Sequence, residues 1–209
     1  KEPDGIVEEN NNPTLQRANS LKRIELSYDE HFNAIKDADD DDFIMLSDND
    51  EIPNLDSEDF KKNKNDIVIF NQLFFYFKFN LLYDRMLWPG TKGCRKKNLK
   101  SFSWLRNIKF KKYPIWRIDT YFSNTKYSNL NIINDGGWHF TNLKSPEDMF
   151  EKFMNFGHHD EFKLSGITVD KIRDKISKRE MFYDHFADKS STNKWDSDYK
   201  LKKIDTNLL

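Results

Sequence analysis

The sequence predicts an α/β fold, because short apolar runs alternate with helical patterns along the chain. Residues 43–46 form a continuous apolar run, which is typical of a strand covered on both faces, as in a parallel sheet with helices packed on it. Further runs at 67–70, 74–82 and 130–133 predict additional strands. A sheet that buries such strands needs helices on its faces, and the sequence supplies candidates for them.

Four segments have the features of helices. From Pro13 to Ile35, apolar side chains recur at intervals of three and four residues, which predicts an amphipathic helix. Ser145 precedes a proline and two acidic residues, a combination that favours a helix start at this position. The predicted helices cover residues 13–35, 101–110, 145–157 and 169–178.

The chain length bounds the number of domains. A chain of 209 residues suffices for one domain with a substantial core and is short for two. We predict one domain over residues 1–187, followed by a polar segment, 188–209, that forms a tail or an extended wrap. Residues 87–93 contain one proline and two glycines and are predicted to be a loop.

The composition excludes several classes of protein. The net charge is −1, with 34 basic and 35 acidic side chains, so the chain as a whole attracts neither nucleic acid nor an anionic membrane. Any anion must therefore be recognised locally. Polar residues interrupt the most apolar stretch, 67–82, which favours buried strand over a transmembrane segment. The single cysteine and the absence of an Asn-x-Ser/Thr site fit a non-secretory compartment.

Two aspartates form the sharpest candidate site. Asp48 and Asp50 follow the apolar run 43–46, and Pro53 prevents that strand from continuing. The pair is therefore predicted at the carboxyl end of a buried strand, which is where ligands bind in open α/β sheets. Two carboxylates at one turn are suited to Mn²⁺ or Mg²⁺, which prefer oxygen ligands and share them with substrate phosphates.

Three motifs together resemble glycosyltransferase family seventeen. They are Ser-Asp-Asn-Asp-Glu-Ile-Pro at 47–53, Gly-Gly-Trp-His-Phe at 136–140 and His-His-Asp-Glu-Phe at 158–162. Their order and spacing are more specific than any one of them, and the resemblance covers most of the chain.

The resemblance implies a GT-A-like, Rossmann-like mixed sheet flanked by helices, and a metal ion at Asp48 and Asp50. It implies transfer of a sugar from a UDP-sugar donor such as UDP-N-acetylglucosamine, with inversion, to a glycan acceptor. That acceptor is a glycoprotein or a surface polysaccharide such as lipopolysaccharide. Animal members of the family are Golgi membrane proteins that modify N-glycans, whereas this chain is expected to be cytoplasmic or peripheral to a membrane. Only 47 residues precede Asp48, so an N-terminal part of the family fold is expected to be missing.

The remaining candidates surround these motifs. A general base for the acceptor hydroxyl must be a carboxylate within reach, and four candidates remain open: Glu51, Asp135, Asp160 and Glu161. Aromatic side chains that pack against sugar rings, and histidines that bind metal or diphosphate, complete the predicted site. These candidates are Trp88, Trp116, Trp138, His139, His158 and His159. A histidine that ends a helix is also favoured by the helix dipole alone, and packing is the preferred explanation for each single tryptophan and for His185.

Two other functions remain open. A metal-dependent phosphoester hydrolase would use the aspartate pair together with the cluster at 158–160. A non-catalytic carbohydrate-binding module would need no metal. Transfer of labelled sugar separates the first of these from a transferase, and sugar binding in the presence of a chelator identifies the second.

Overall fold

The computed structural model describes residues 2–8, 12–155, 159–187 and 192–205. Its α-helices are α1 (Pro13–Asp29), α2 (Glu58–Lys61), α3 (Phe102–Asn107), α4 (Pro146–Asn155), α5 (His159–Leu164) and α6 (Val169–Lys178). Its strands are β1 (Phe43–Leu46), β2 (Glu51–Pro53), β3 (Ile67–Tyr76), β4 (Leu81–Leu82), β5 (Trp88–Arg95), β6 (Leu130–Ile133), β7 (Gly137–Thr141) and β8 (Lys202–Lys203). Short 3₁₀ helices cover Glu30–Ile35, Lys96–Asn98, Ile118–Thr120 and Thr192–Trp195.

The chain divides into two compact units. The strand-rich unit consists of Ile24–Phe74 and Met86–His139. The helix-rich unit consists of Lys1–Arg23, Phe75–Arg85 and Phe140–Leu209.

The strand-rich unit is built on a mixed sheet. β1 pairs antiparallel with β5, and β5 pairs antiparallel with β3. β3 pairs parallel with β6, with Ile67 opposite Leu130. β2 pairs antiparallel with β7. The prediction of an α/β fold with a mixed sheet and flanking helices is thereby confirmed, and the arrangement is compatible with a Rossmann-like fold.

The core explains why the first four residues of β3 are all apolar. Ile67 and Ile69 face one cluster that includes residues of α3, whereas Val68 and Phe70 face a second cluster closed by Phe60 of α2. Successive side chains of a strand point to opposite faces, so a strand covered on both faces needs apolar residues at every position.

The run 43–46 is a strand, as predicted, but its surroundings differ from the prediction. β1 is antiparallel to its neighbour, whereas a continuous apolar run of this kind is typical of a strand in a parallel sheet. Its burial alternates: Ile44 and Leu46 are buried, and Phe43 and Met45 are only half-buried. An apolar side chain in a strand can remain partly exposed, and the sequence alone does not show which residues of an apolar run do so.

The prediction of a loop at 87–93 is wrong, because β5 covers most of it. A side chain at Gly93 would place its Cβ 2.4 Å from Phe43 Cε1, so glycine permits the close approach of β1 and β5. Pro89 lies opposite Asn71, next to an irregularity in the β3–β5 register. Proline is tolerated where a ladder is irregular.

The predicted strand at 74–82 is divided in two. Phe77 adopts a left-handed backbone conformation with φ of 65°, which ends β3. The chain resumes as β4, which pairs with β3 and with β8. The prediction of one continuous strand failed because the hydrophobic pattern does not show which residue adopts a positive φ.

The first predicted helix forms over α1, but its apolar face is not buried as expected. Leu21 and Ile24 are exposed, whereas Asn19 is buried and exchanges two hydrogen bonds with the Val7 backbone, at 3.1 and 2.7 Å. The end of the predicted helical pattern does pack into a core, because Tyr28 and Ile35 contact the cluster beside α3.

The helix predictions after residue 100 are confirmed. In α4, Ser145 Oγ accepts a hydrogen bond from the Asp148 amide at 3.1 Å, which is the cap that the sequence predicted. α6 covers the predicted residues, and α3 lies inside its predicted range. The predicted end of α4 near Gly157 lies outside the described residues.

The described part of the C-terminal segment, 192–205, packs rather than extending freely. Trp195 and Leu201 are buried, and β8 pairs with β4. No helix in the described parts of the chain is long and apolar enough to span a membrane.

Candidate functional site

The aspartate pair lies on a tight turn between β1 and β2. The Glu51 amide donates to the Asp48 carbonyl at 3.0 Å, which closes the turn around Asn49 and Asp50. Ser47 Oγ donates to the Glu51 carbonyl at 2.9 Å and lies 2.6 Å from Thr91 Oγ1 of β5. The turn is therefore tied to the sheet at its base, and the side chains of both aspartates remain about one-third exposed, at 32% and 33%.

Two side chains bind the Asp48 carboxylate in the described parts of the chain, and neither was predicted from the sequence. Arg106 Nη1 donates to both carboxylate oxygens, at 3.0 and 2.9 Å. The Tyr28 hydroxyl donates to Asp48 Oδ1 at 3.0 Å, and the Arg106 guanidinium lies 5.0 Å above the Tyr28 ring. Burial raises the pKa of Tyr28 to about 12; the nearby Arg106 charge lowers it and the Asp48 charge raises it. Tyr28 is thus a stable donor to Asp48 at neutral pH.

Glu51 stabilises the turn between β1 and β2 through its side-chain hydrogen bonds. It is 9% exposed, and its two oxygens accept hydrogen bonds from Trp88 Nε1 at 2.9 Å and from the Asp48 amide at 3.2 Å. Burial raises the pKa of Glu51 above its ordinary value, whereas these two hydrogen bonds lower it. A carboxyl group with a raised pKa at the edge of a cleft is suited to proton transfer.

His139 lies opposite Glu51 on the neighbouring strand, β7. Its ring stacks on Trp88, with ring centroids 4.5 Å apart, and on Phe74, at 4.9 Å. His139 Nε2 is 3.5 Å from Asp50 Oδ2, and its buried Nδ1 has no hydrogen-bond partner. The imidazole is therefore oriented by the two aromatic rings and aligned with the carboxylate of Asp50.

The glycines of the second motif have a structural role. A Cβ at Gly137, whose φ is +101°, would lie 2.1 Å from the Ile52 carbonyl oxygen, and a Cβ at Gly136 would lie 2.4 Å from the Asn71 amide nitrogen. Only glycine permits β7 to approach β2 and β3 this closely. The two motifs are therefore packed against each other, which brings His139 to the turn that carries the aspartates.

A cavity of about 220 Å³ opens beside the turn. Glu51, Trp88, Lys92 and Arg106 contribute the polar groups of its wall, together with Leu46, Pro89, Gly90 and Asn107. Lys92 Nζ donates to the Ile108 carbonyl at 2.7 Å. Burial lowers the pKa of Lys92 to about 8, an effect that the Arg106 charge strengthens and the Glu51 charge opposes.

Lys92 and Arg106 are the two charged residues of the cavity wall that were not predicted as site residues from the sequence. Lys92 belongs to a basic run whose other members turn elsewhere: Arg95 donates to the Asp41 carbonyl and Lys97 pairs with the Asp41 carboxylate. Alternate residues of a strand face opposite sides of the sheet, so Lys92 and Arg95 of β5 face opposite sides. A correct prediction of β5 would therefore have shown that these two side chains do not act together. No local signal identified Arg106, which is 58 residues from Asp48.

The titration of Lys92 gives a pH-dependent prediction. The pKa of Lys92 is lower in the folded chain than in the unfolded chain, so the unfolded chain binds more protons between the two values. The free energy of unfolding is therefore highest above the unfolded pKa and falls as the pH is lowered towards about 8. Between about pH 7.5 and about pH 9.5, the free energy of unfolding of the wild type should therefore rise by roughly 1–2 kcal/mol relative to Lys92→Met. Urea unfolding of both chains at the two pH values measures the difference. A difference that is constant with pH would contradict the burial of a charged Lys92.

Two other candidates of the strand-rich unit occupy different surroundings. Asp135 Oδ2 accepts a hydrogen bond from Asn54 Nδ2 at 2.9 Å, just beyond the end of β2. Trp138 alternates with His139 along β7 and therefore faces the other side of the strand.

Trp116 does not line the cavity beside Glu51. It is 79% exposed and lies in the segment after α3. Its predicted role as an aromatic wall for a sugar ring stays a prediction. The residue types alone could not distinguish it from Trp88.

The third motif belongs to the helix-rich unit. His159 is the first described residue of α5, which continues to Leu164, so the prediction that the pair His158 and His159 closes a helix is wrong for His159. His158 and the side chain of Asp160 lie outside the described residues. Glu161 pairs with Lys194 at 2.5 Å and borders a cavity of about 510 Å³ within this unit. His185 packs among Tyr76, Tyr83 and Tyr183, in accordance with the structural interpretation of that residue.

The described residues contain no group of three or more His, Cys, Asp or Glu side chains positioned to hold a metal ion. A site of two carboxylates falls below that number, and Mg²⁺ is commonly bound by one or two carboxylates together with substrate phosphates. The donors at the turn are the oxygen ligands that such ions prefer, and the residues therefore fit a metal that is shared with a phosphate-bearing ligand.

Comparisons with known proteins add no identification: no protein-family model, curated protein or solved structure matches the chain.

Proposed function

We propose that the chain is a metal-dependent, inverting glycosyltransferase with a GT-A-like fold, similar to β-1,4-mannosyl-glycoprotein 4-β-N-acetylglucosaminyltransferase. It transfers N-acetylglucosamine from UDP-N-acetylglucosamine in β linkage to a glycan acceptor. The observation that carries the proposal is the turn between β1 and β2, where Asp48 and Asp50 are accessible and lie beside Arg106 and His139. The resemblance of the three sequence motifs to glycosyltransferase family seventeen supports the same assignment.

Asp48 and Asp50 are the residues that would hold Mn²⁺ or Mg²⁺. When bound, the metal supplies positive charge that stabilises the diphosphate as it leaves the sugar. Tyr28 donates to Asp48 Oδ1, and His139 lies against Asp50 Oδ2, so each carboxylate is oriented by a neighbour. Partners of this kind fix the direction of a metal ligand.

Arg106 has a double role in this proposal. Without a metal it neutralises Asp48 through the two short contacts. With the donor bound, it exchanges Asp48 for an oxygen of the diphosphate, because a guanidinium binds phosphate as readily as carboxylate. Lys92, on the same cavity wall, adds a second positive charge at this place.

The role of Arg106 gives a prediction for metal binding alone. Arg106→Gln removes the charge that competes for Asp48, so Mn²⁺ should bind up to about fivefold more tightly in the absence of nucleotide, as expected for a half-exposed ion pair. Electron paramagnetic resonance of free Mn²⁺ measures the affinity, with Arg95→Gln as the matched control. Weaker Mn²⁺ binding by Arg106→Gln than by the control would refute the exchange.

We assign the general base to Glu51. It is the one carboxylate on the cavity wall among the described residues, and its pKa is raised by burial. Each carboxylate oxygen has a second lone pair, so the bonds from Trp88 and the Asp48 amide leave capacity to accept a proton from the acceptor hydroxyl. Asp135, Asp160 and Glu161 are the alternatives. Trp88, stacked on His139, offers an apolar face for a sugar ring.

The direct experiment is transfer of labelled sugar. The 209-residue chain is incubated with radiolabelled UDP-N-acetylglucosamine, Mn²⁺ and a panel of N-glycan, polysaccharide and lipopolysaccharide acceptors. We expect labelled acceptor with Mn²⁺ and none with a chelator. Release of UDP without transfer to any acceptor would favour a hydrolase, and sugar binding that persists in chelator without turnover would favour a binding module.

A further inference from the structure

The segment 109–126 of the strand-rich unit presents an unusual surface. Five large apolar side chains, spread over eight residues, are between 68% and 86% exposed: Ile115, Trp116, Ile118, Tyr121 and Phe122. Single exposed apolar residues are common on proteins, but a contiguous group of this size marks an interaction site. We refer to residues 109–126 as the aromatic loop.

Backbone hydrogen bonds fix the base of the aromatic loop, so its exposed apolar side chains belong to a structured segment. The Lys109 amide donates to the Thr125 carbonyl at 2.8 Å, and the Tyr113 amide donates to the Tyr127 carbonyl at 3.3 Å. Tyr113 is buried, with the Arg117 guanidinium 5.2 Å from its ring centroid. The fold therefore holds the apolar tip in solvent.

Asp119 ties the two sides of the loop together. Its carboxylate accepts from Arg117 at 2.6 and 2.9 Å and from Lys126 at 2.8 Å. These two cations keep the pKa of Asp119 well below its ordinary value, so the network persists over the working pH range. Arg117 and Lys126 are consequently engaged within the loop.

The charge of the loop is strongly positive. It contains five basic side chains and a single carboxylate, a net charge of +4 in a chain whose total is −1. Lys109, Lys111 and Lys112 are exposed and form no ion pair within the described parts of the chain, and Lys111 lies 5.7 Å from the Tyr113 ring centroid. These three cations flank the apolar tip on its N-terminal side.

We propose that the aromatic loop docks the protein on the surface of an anionic lipid bilayer. Trp and Tyr are the side chains favoured at a membrane interface, because one part of each ring is apolar and the other is polar. Ile115, Ile118 and Phe122 insert into the boundary between headgroups and acyl chains, and the three free lysines contact lipid phosphates. The combination of an apolar tip and an unneutralised basic flank favours this partner over a second copy of the chain, which carries the same positive charge.

Vesicle binding tests the proposal without reference to sugar transfer. The 209-residue chain is sedimented with vesicles of phosphatidylcholine alone and with vesicles in which a third of the lipid is phosphatidylglycerol. We expect binding to the anionic vesicles, weakened by added salt, and a blue shift of tryptophan fluorescence that is lost in Trp116→Phe. Absence of binding to anionic vesicles would overturn the proposal.

Two double variants separate the apolar and the electrostatic contributions. Trp116→Ser with Phe122→Ser should weaken vesicle binding at least about tenfold through lost insertion. Lys111→Glu with Lys112→Glu should weaken it at least about tenfold through lost attraction to lipid phosphate. Both pairs are exposed, so the thermal melting of each variant should match that of the wild type.

Matched controls lie elsewhere on the chain. Leu164→Ser removes an apolar side chain that is 88% exposed, and Lys202→Glu with Lys203→Glu reverses two adjacent exposed charges. Leu164→Ser should weaken vesicle binding less than the Trp116/Phe122 double variant does, and the Lys202/Lys203 double variant less than the Lys111/Lys112 double variant does. An equal loss of binding in a loop variant and its control would overturn the proposal. So would a loop variant that dissociates an oligomer of the wild type while vesicle binding is unchanged.

Discussion

Asp48→Asn and Asp50→Asn are each expected to lower Mn²⁺-dependent sugar transfer by about 10²–10³-fold. Each substitution preserves the size of the side chain and removes the negative charge that would hold the cation, and loss of one stabilising group at a developing charge has an effect of this size. Initial rates of labelled transfer at saturating donor measure the loss. In Asp48→Asn the amide still accepts from Tyr28, so the turn itself should survive.

The control for both variants is Asp59→Asn, an exposed aspartate of α2. Its transfer rate should equal that of the wild type. The contradicting result is full activity in either Asp48→Asn or Asp50→Asn at a Mn²⁺ concentration that limits the wild type. The aspartate pair would then have no role in the mechanism, and only the sequence resemblance would support the transferase proposal.

Gly137→Ala is expected to lower the free energy of unfolding by about 3 kcal/mol or more. The new Cβ would lie 2.1 Å from the Ile52 carbonyl oxygen and 2.7 Å from the Asn54 amide nitrogen, and neither backbone atom can move without breaking the β2–β7 pairing. A positive φ adds strain to the steric overlap. Urea unfolding measures the change.

Gly166 offers a matched control for Gly137. Its φ is +65°, also in the left-handed region, but a Cβ there would meet nothing within 4 Å. Gly166→Ala should therefore show the backbone strain alone, about 1 kcal/mol. Equal destabilisation by the two substitutions would show that β7 can move away from β2, and that the position of His139 opposite Glu51 is not fixed by glycine.

The helices of the C-terminal half could be predicted because their signals are local. Ser145 and the acidic residues after it define a helix start within one turn, and the period of α6 is carried by consecutive residues. β5 could not be predicted in the same way. Pro89, Gly90 and Gly93 indicate a loop locally, and only their neighbours in β1 and β3 explain why small or irregular residues are needed there.

The candidate site was partly predictable for the same reason. Asp48, Asp50 and Glu51 are adjacent in sequence, so one motif reports all three. Arg106 meets Asp48 across 58 residues, and nothing near Arg106 distinguishes it from other exposed basic residues of this chain. The stacking of His139 on Trp88 brings β7 and β5 together, and the pairing of these two strands with β3 was not predicted. Contacts set by pairing between distant strands are not visible in a single sequence.

The most direct test of the central claim is thermal unfolding with Mn²⁺ and UDP-N-acetylglucosamine, because it needs no acceptor. A ligand that binds only the folded chain raises the melting temperature, and the increase grows with the ratio of the ligand concentration to the dissociation constant. The account predicts that Mn²⁺ and the nucleotide sugar together raise the melting temperature of the wild type, and that Asp48→Ala abolishes the increase. An equal increase in Asp48→Ala, or none in the wild type with both ligands present, would contradict it.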